Sequence, residues 1–123
     1  MKALMLPLLA AATAACATTP PAGADPSARL GEIASVGGLR IRPLRVIEDS
    51  RCPINARCVW AGRIVLLAEV RDSRGHARHN FTLGEPITQS GRRVALVTAE
   101  PGRVAGSDTD PDAYVFTFEV QPR

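Results

Sequence analysis

From Leu30 to the C-terminus, apolar and polar residues alternate with a period of two, and Gly, Pro and Asp break the alternation at short intervals. In Leu39-Arg40-Ile41-Arg42 the apolar residues hold one parity and the arginines the other. Pro43 interrupts, and Leu44 and Val46 continue against Arg45 and Ile47. A proline inside such a run predicts an edge strand or a bulge, because it has no N–H to give to a ladder. The segment GRIVLLAEVRD, residues 62–72, is apolar on both parities up to Glu69, which predicts a strand whose first half is covered on both faces. Asp72-Ser73-Arg74-Gly75 then predicts a hairpin turn into HARHNFTL. RRVALVTAE places Val94, Leu96 and Thr98 on one face. AYVFTFEVQ places Tyr114, Phe116, Phe118 and Val120 opposite Val115, Thr117 and Glu119.

No window after the first sixteen residues shows a helical stripe. Short strands punctuated this often predict an all-β domain. The expected architecture is a small antiparallel β-sandwich of Ig-like size, with a small β-barrel as the alternative.

The N-terminus reads differently. MKALMLPLLAAATAAC has one charge, Lys2, an apolar run from Ala3 to Ala12, and small residues before Cys16. The run is shorter than the roughly 18–20 apolar residues a bilayer span needs, so it predicts an export signal. Thr13-Ala14-Ala15-Cys16 resembles the bacterial lipoprotein cleavage box, with Thr13 where leucine is usual. The resemblance implies that Cys16 is diacylated, begins the mature chain and anchors it to a membrane. An ordinary cleaved signal with an incidental Cys16 is the alternative. Three cysteines in an exported chain leave one over, and a lipidated Cys16 leaves Cys52 and Cys58 as a pair in an oxidising compartment. Ala17 stands where an inner-membrane lipoprotein tends to carry aspartate, which points to the periplasmic face of the outer membrane. The following residues, rich in Pro, Ala and Thr, cannot bury a core and predict a flexible tether. The expected organisation is a signal over 1–15, the lipidated cysteine and tether over 16–28, and a single β domain over 29–123.

Charge narrows the function. Fifteen Lys and Arg stand against twelve Asp and Glu, for a net +3. Removing Lys2 with the signal leaves arginine as the only strong cation, in no run longer than two. That balance is too weak for nucleic-acid binding, and the charges read as the solvated faces of strands.

The densest chemistry lies in EDSRCPINARCVWAGR, residues 48–63, with two cysteines and the only tryptophan. Structural zinc needs four ligands, and thioredoxin-like redox chemistry needs two residues between the cysteines and a βαβ setting. Cys52 and Cys58, with five residues between them, fit neither and predict a disulfide. Trp60 shares a face with Cys58 if the chain is extended, so the indole is expected to pack near the disulfide as a core anchor. An exposed binding platform is the alternative. Gly62 suits a bulge or a close approach, and Asp49 and Ser50 suit a turn before the loop. Arg51 and Arg57 either pair with Asp49 or form a solvated rim. Asp49, Arg51, Arg57 and Trp60 are therefore the candidate recognition residues.

Asp49-Ser50-Arg51-Cys52-Pro53, then Cys58, then Trp60-Ala61-Gly62 resembles the signature of a family of short, uncharacterised bacterial lipoproteins. The similarity extends from LGEIASVGGLRIRP through NFTLGEP to the final Tyr-containing strand. It implies a small β-rich domain in the cell envelope and names no activity.

Two other constellations invite chemistry. Asp108, Asp110, Asp112 and Glu119 match positions 1, 3, 5 and 12 of an EF-hand loop. Ala113 replaces the required glycine, Pro111 interrupts, and a strand from 113 carries Glu119 away, so a solvated acidic loop is expected. His76 and His79, three apart on a strand, fall on opposite faces and do not converge on a metal. No nucleophile elbow or phosphate-binding glycine loop occurs. The expectation is a non-catalytic protein without metal or cofactor. It is held to the membrane by its lipid and binds an envelope protein or glycan, or serves a structural role, through the loop. The alternatives are inhibition of a periplasmic hydrolase with Arg57 inserted, and a metal-binding accessory protein or enzyme.

Overall fold

The computed structural model describes residues 10–15 and 25–122. Cys16 and most of the residues read as signal and tether lie outside them, and the tether bound expected at 28 is corrected because Ser27–Ala28 already form a strand with Ala28 buried.

The described residues form β1 (Ser27–Ala28), β2 (Ala34–Val36), β3 (Leu39–Asp49), β4 (Ile64–Asp72), β5 (Gly75–Thr82), β6 (Ile87–Gln89), β7 (Arg92–Glu100) and β8 (Val115–Gln121), with a 3-10 turn at Pro111–Ala113. Two antiparallel sheets result, ordered β1-β8-β7-β6 and β2-β3-β4-β5, and they do not close into a barrel. The architecture is the antiparallel β-sandwich read from the alternation. Leu39, Ile41, Ile64, Leu66, Val70 and Phe81 of one sheet face Val94, Leu96, Phe116 and Phe118 of the other, and all are buried. Phe81 and Phe118 meet across the layers edge to face, with ring centroids 5.3 Å apart. That geometry sets the positive edge of one ring on the negative face of the other.

β3 shows how the alternation survives imperfect residues. Leu39, Ile41 and Pro43 point inward, and simple continuation would turn Arg45 into the core. A register shift between Pro43 and Arg45 absorbs Leu44, so that Arg45 faces outward opposite Leu67 and Val46 opposes Leu66. The expected bulge at the proline is present, in a strand flanked on both sides. Its carbonyl accepts from Gly31 N–H at 2.7 Å, so the missing N–H points toward the loop before β2 and no rung to β4 is lost. A second shift between Val46 and Glu48 sends Glu48 outward and Asp49 inward, opposite Ile64.

β4 is buried at Ile64, Val65 and Leu66, as its two-sided apolar start predicts. Asp72 pairs with Gly75 across the expected hairpin turn. Gly37 and Gly38 join β2 to β3 with φ of 55° and 79°, the paired left-handed conformation of a tight primed turn.

The connections define two ends. The turns at 37–38, 73–74 and 90–91 gather at one end, where Asp25 C=O also accepts from Ser35 N–H at 2.7 Å. We call this the tether end. The 50–63 loop and the 101–114 segment gather at the opposite end, the loop end.

Candidate functional site

The 50–63 loop leaves β3 and returns as β4 through a narrow neck. Ser50 N–H donates to Arg63 C=O at 2.8 Å and Cys52 N–H to Ala61 C=O at 3.0 Å. Arg63 and Glu48 form an ion pair across the neck at 2.8 Å. Gly62 has φ 67°, and a Cβ there would lie 1.8 Å from Ser50 C=O oxygen. Only glycine lets the two sides of the neck approach this closely. Above the neck, Cys52 and Cys58 form the expected disulfide, with Cα atoms 5.8 Å apart.

Two of the candidate recognition residues are turned inward. Because the second β3 shift points Asp49 between the sheets, its carboxylate meets Arg51 fork to fork. Arg51 Nε donates to Oδ1 at 2.8 Å and Nη2 to Oδ2 at 3.0 Å. Tyr114 Oη donates to Oδ2 at 2.7 Å. Arg51 Nη1 also donates to Ala99 C=O at 2.7 Å and Nη2 to Pro101 C=O at 3.0 Å, on and just beyond β7. The side chains are only 16% and 10% exposed for Arg51 and Asp49. This cluster ties β3 of one sheet to β7 and the start of β8 of the other.

Burial alone would push the Asp49 carboxyl up. Hydrogen bonds from Arg51 and Tyr114, with the Arg51 charge, outweigh it and hold the group below the ordinary aspartate value. Hydrogen bonding to Asp49 raises Arg51 in turn. Desolvation, then the bond to Asp49, raises Tyr114.

The loop is further docked on the 101–107 segment. Ile54 N–H donates to Arg103 C=O at 2.8 Å, Ala105 N–H to Asn55 Oδ1 at 2.8 Å, and Arg103 Nη1 to Arg51 C=O at 2.8 Å. Its backbone is thus fixed on three sides while its crown is bare. Ile54, Val59 and Trp60 are 76%, 91% and 83% exposed. Arg57 is exposed among them.

The expectation of Trp60 as a core anchor is corrected. The chain at 58–60 is irregular, bending at 59–60, and β4 begins only at Ile64, so the shared-face argument has no strand to act on. The aromatic core is filled instead by Phe81, Phe116, Phe118 and Tyr114.

The other constellations are dispersed. Asp110 caps the 3-10 turn by accepting from Asp112 N–H at 2.9 Å, while Glu119 sits exposed on β8. His79 Nε2 lies 2.8 Å from Gln89 Oε1, linking β5 to β6, while His76 is exposed on the other face of β5. Among the described residues no three His, Cys, Asp or Glu side chains gather where they could hold a metal.

No protein-family model, curated protein or solved structure matches this chain. Sequence reasoning missed Tyr114 and Arg103 as supports of the loop. A buried tyrosine hydroxyl needs a partner, which signals that Tyr114 has one without saying which.

Proposed function

We propose that this protein is a non-catalytic, lipid-anchored component of the cell envelope that binds a partner protein through the crown of its disulfide-closed loop. Lipidation at Cys16 and an outer-membrane address belong to this reading, as does membership of the lipoprotein family that the DSRCP-type signature resembles. One observation carries the binding role. Ile54, Val59 and Trp60, three large apolar side chains in fourteen residues, are exposed on a loop whose backbone is held by a disulfide, a laddered neck and the 101–107 segment. Folding gains nothing from placing them in water, whereas a pre-ordered loop loses little entropy on binding. Tryptophan and arginine are also the side chains that most often dominate binding energy at protein interfaces.

The test is an in-cell crosslinking pull-down of the lipidated protein against a variant carrying Arg57→Ala, Val59→Ser and Trp60→Ala. Both cysteines, Asp49 and Arg51 are kept, because they hold the fold. The reading expects a partner captured by the native chain and lost from the variant at unchanged thermal stability. Equal capture by both moves the binding surface elsewhere on the domain.

A second reading, inhibition of a periplasmic hydrolase, is favoured by one feature. Arg57 stands exposed at the crown and enters no ion pair among the described residues. In that case the captured partner is a hydrolase, and the native protein slows it in solution.

A further inference from the structure

The outer face of the β2-β3-β4-β5 sheet carries a charge pattern that the core does not require. Register sets Arg40 beside Arg71 and Arg71 beside His76, and the next rung sets Arg42 beside Glu69 and Glu69 beside Arg78. Directly opposed residues share a face, so four arginines surround one carboxylate. Arg71 Nη2 donates to Glu69 Oε1 at 3.1 Å. Among the described residues Arg40, Arg42 and Arg78 enter no ion pair. The Glu69 carboxyl is held below its ordinary value first by the hydrogen bond from Arg71, against burial, with the charges of Arg71, His76 and Arg42 adding to it. Arg40 opposite Arg71 is a like-charge pair, which costs stability on a bare sheet. Arg40, Arg42, Glu69 and Arg71, with Ile33, line a cavity of about 220 Å³, roomy enough for a phosphate group.

The second observation is where the tether joins. Asp25 bonds Ser35, and Ser35 pairs with Arg40, so the chain enters on the rung that begins the arginine face. Arg74 and Arg92, in and beside the neighbouring turns, belong to this end too. Glu85, Glu100, Asp108, Asp110 and Asp112 lie toward the loop end, about 30 Å away along β3 at roughly 3.3 Å per residue. The molecule is basic where it is tethered and richer in acids where its loop protrudes.

We infer that the arginine face, centred on its Arg40–Arg71 rung at the tether end, is a second membrane contact, which binds the phosphates of anionic phospholipid headgroups beside the anchor and leaves the disulfide loop, at the far end of the strands, in water. The inference takes its membrane from the lipid-anchor reading and its site from the strand register alone. Guanidinium groups pair with phosphate through two parallel N–H···O bonds, and an anionic headgroup relieves the Arg40–Arg71 repulsion.

The test uses the chain from residue 17 onward, which has neither the apolar signal nor the acylation site and keeps every residue of the sandwich, with vesicles of phosphatidylcholine alone or mixed with phosphatidylglycerol. Co-flotation is expected to depend on phosphatidylglycerol, to weaken with salt, and to fall about fivefold for each of Arg40→Gln and Arg42→Gln. Arg40→Gln is expected to leave the unfolding temperature unchanged or higher, because its like-charge contact with Arg71 is removed, whereas Arg42→Gln, which gives up an attraction to Glu69, is expected to leave it unchanged or slightly lower. Binding indifferent to phosphatidylglycerol, or to both substitutions, overturns the inference. So does inorganic phosphate shifting the Ile33 and Arg40 amide resonances while vesicles leave them in place, since the site then serves a free anion. Retention of an acidic glycan or nucleic acid in place of vesicles overturns it equally. The mass of the protein purified from its envelope reads the anchor separately. A chain without acyl groups on Cys16 that still floats with anionic vesicles defeats the anchor and keeps the arginine face.

Discussion

Arg51 spends four of its five N–H donors on holding two sheets together: two on Asp49 and two on carbonyls at and beyond the end of β7. Truncating it leaves the Asp49 carboxylate facing inward without its cation, with only Tyr114 and the residue-51 backbone N–H as donors, and an inward charge stripped of its partner is expensive. Arg51→Ala is therefore expected to cost about 3 kcal/mol in urea unfolding, and Arg51→Lys to recover only part of this, because an ammonium cannot serve both carboxylate oxygens and two carbonyls. The same cluster sets an acid limb. The folded-state value of Asp49 is depressed, so its contribution is complete well above the unfolded value of about 3.9 and is lost as pH falls through the folded one. Below about pH 5 the native chain should lose stability faster than Asp49→Asn, and pH-dependent thermal melts check the difference in slope. Glu48, Glu69 and Asp72 are lowered too, so the variant keeps a shallower limb. The Asp49–Arg51 pairing is legible in the sequence as two opposite charges two residues apart. Tyr114, 65 residues further on, is not, because only the assembled sandwich brings it to Asp49.

At the scale of elements, the long strands were legible because burial on one face forces the alternation. β1 and β6, of two and three residues, are too short for a period to register. The loop was half legible. Cysteine arithmetic and the glycine predicted a staple and a close approach, and both are present. Trp60 was misplaced because a period-two argument was carried into a segment that is not a strand. The neck makes the sharpest demand on a single position. Gly62→Ala sets a Cβ on Ser50 C=O and holds a left-handed φ with a side chain. The backbone conformation alone costs about 1–3 kcal/mol, and the steric overlap adds to it. The expected outcome is a lowered melting temperature together with loss of amide-exchange protection at Ser50 and Cys52. An equally large loss of protection in β8 would mean instead that the substitution unfolds the whole sandwich.

Across the whole molecule the arginines illustrate what one dimension hides. Each of Arg40, Arg42, Arg71 and Arg78 is, in sequence, the polar half of an ordinary alternation. Only the register of β3 with β4 and of β4 with β5 stacks them into one face. On the reading proposed above, the two ends of the sandwich have opposite tasks: one meets the membrane among cations, and the other extends an apolar crown. The single tryptophan reports on this polarity directly, because Trp60 is the only indole and lies at the crown. On anionic vesicles its emission should stay that of a water-exposed indole. A soluble quencher should reach it as readily as in the free protein, and brominated acyl chains should leave it bright. A blue shift with quenching by the brominated lipid would put the crown in the bilayer, making the membrane itself the loop's ligand and reversing the orientation. Because the Arg40–Arg71 rung lies some 30 Å along the strands from the crown at about 3.3 Å per residue, a membrane contact centred on that rung leaves the crown in water, and the two outcomes separate cleanly.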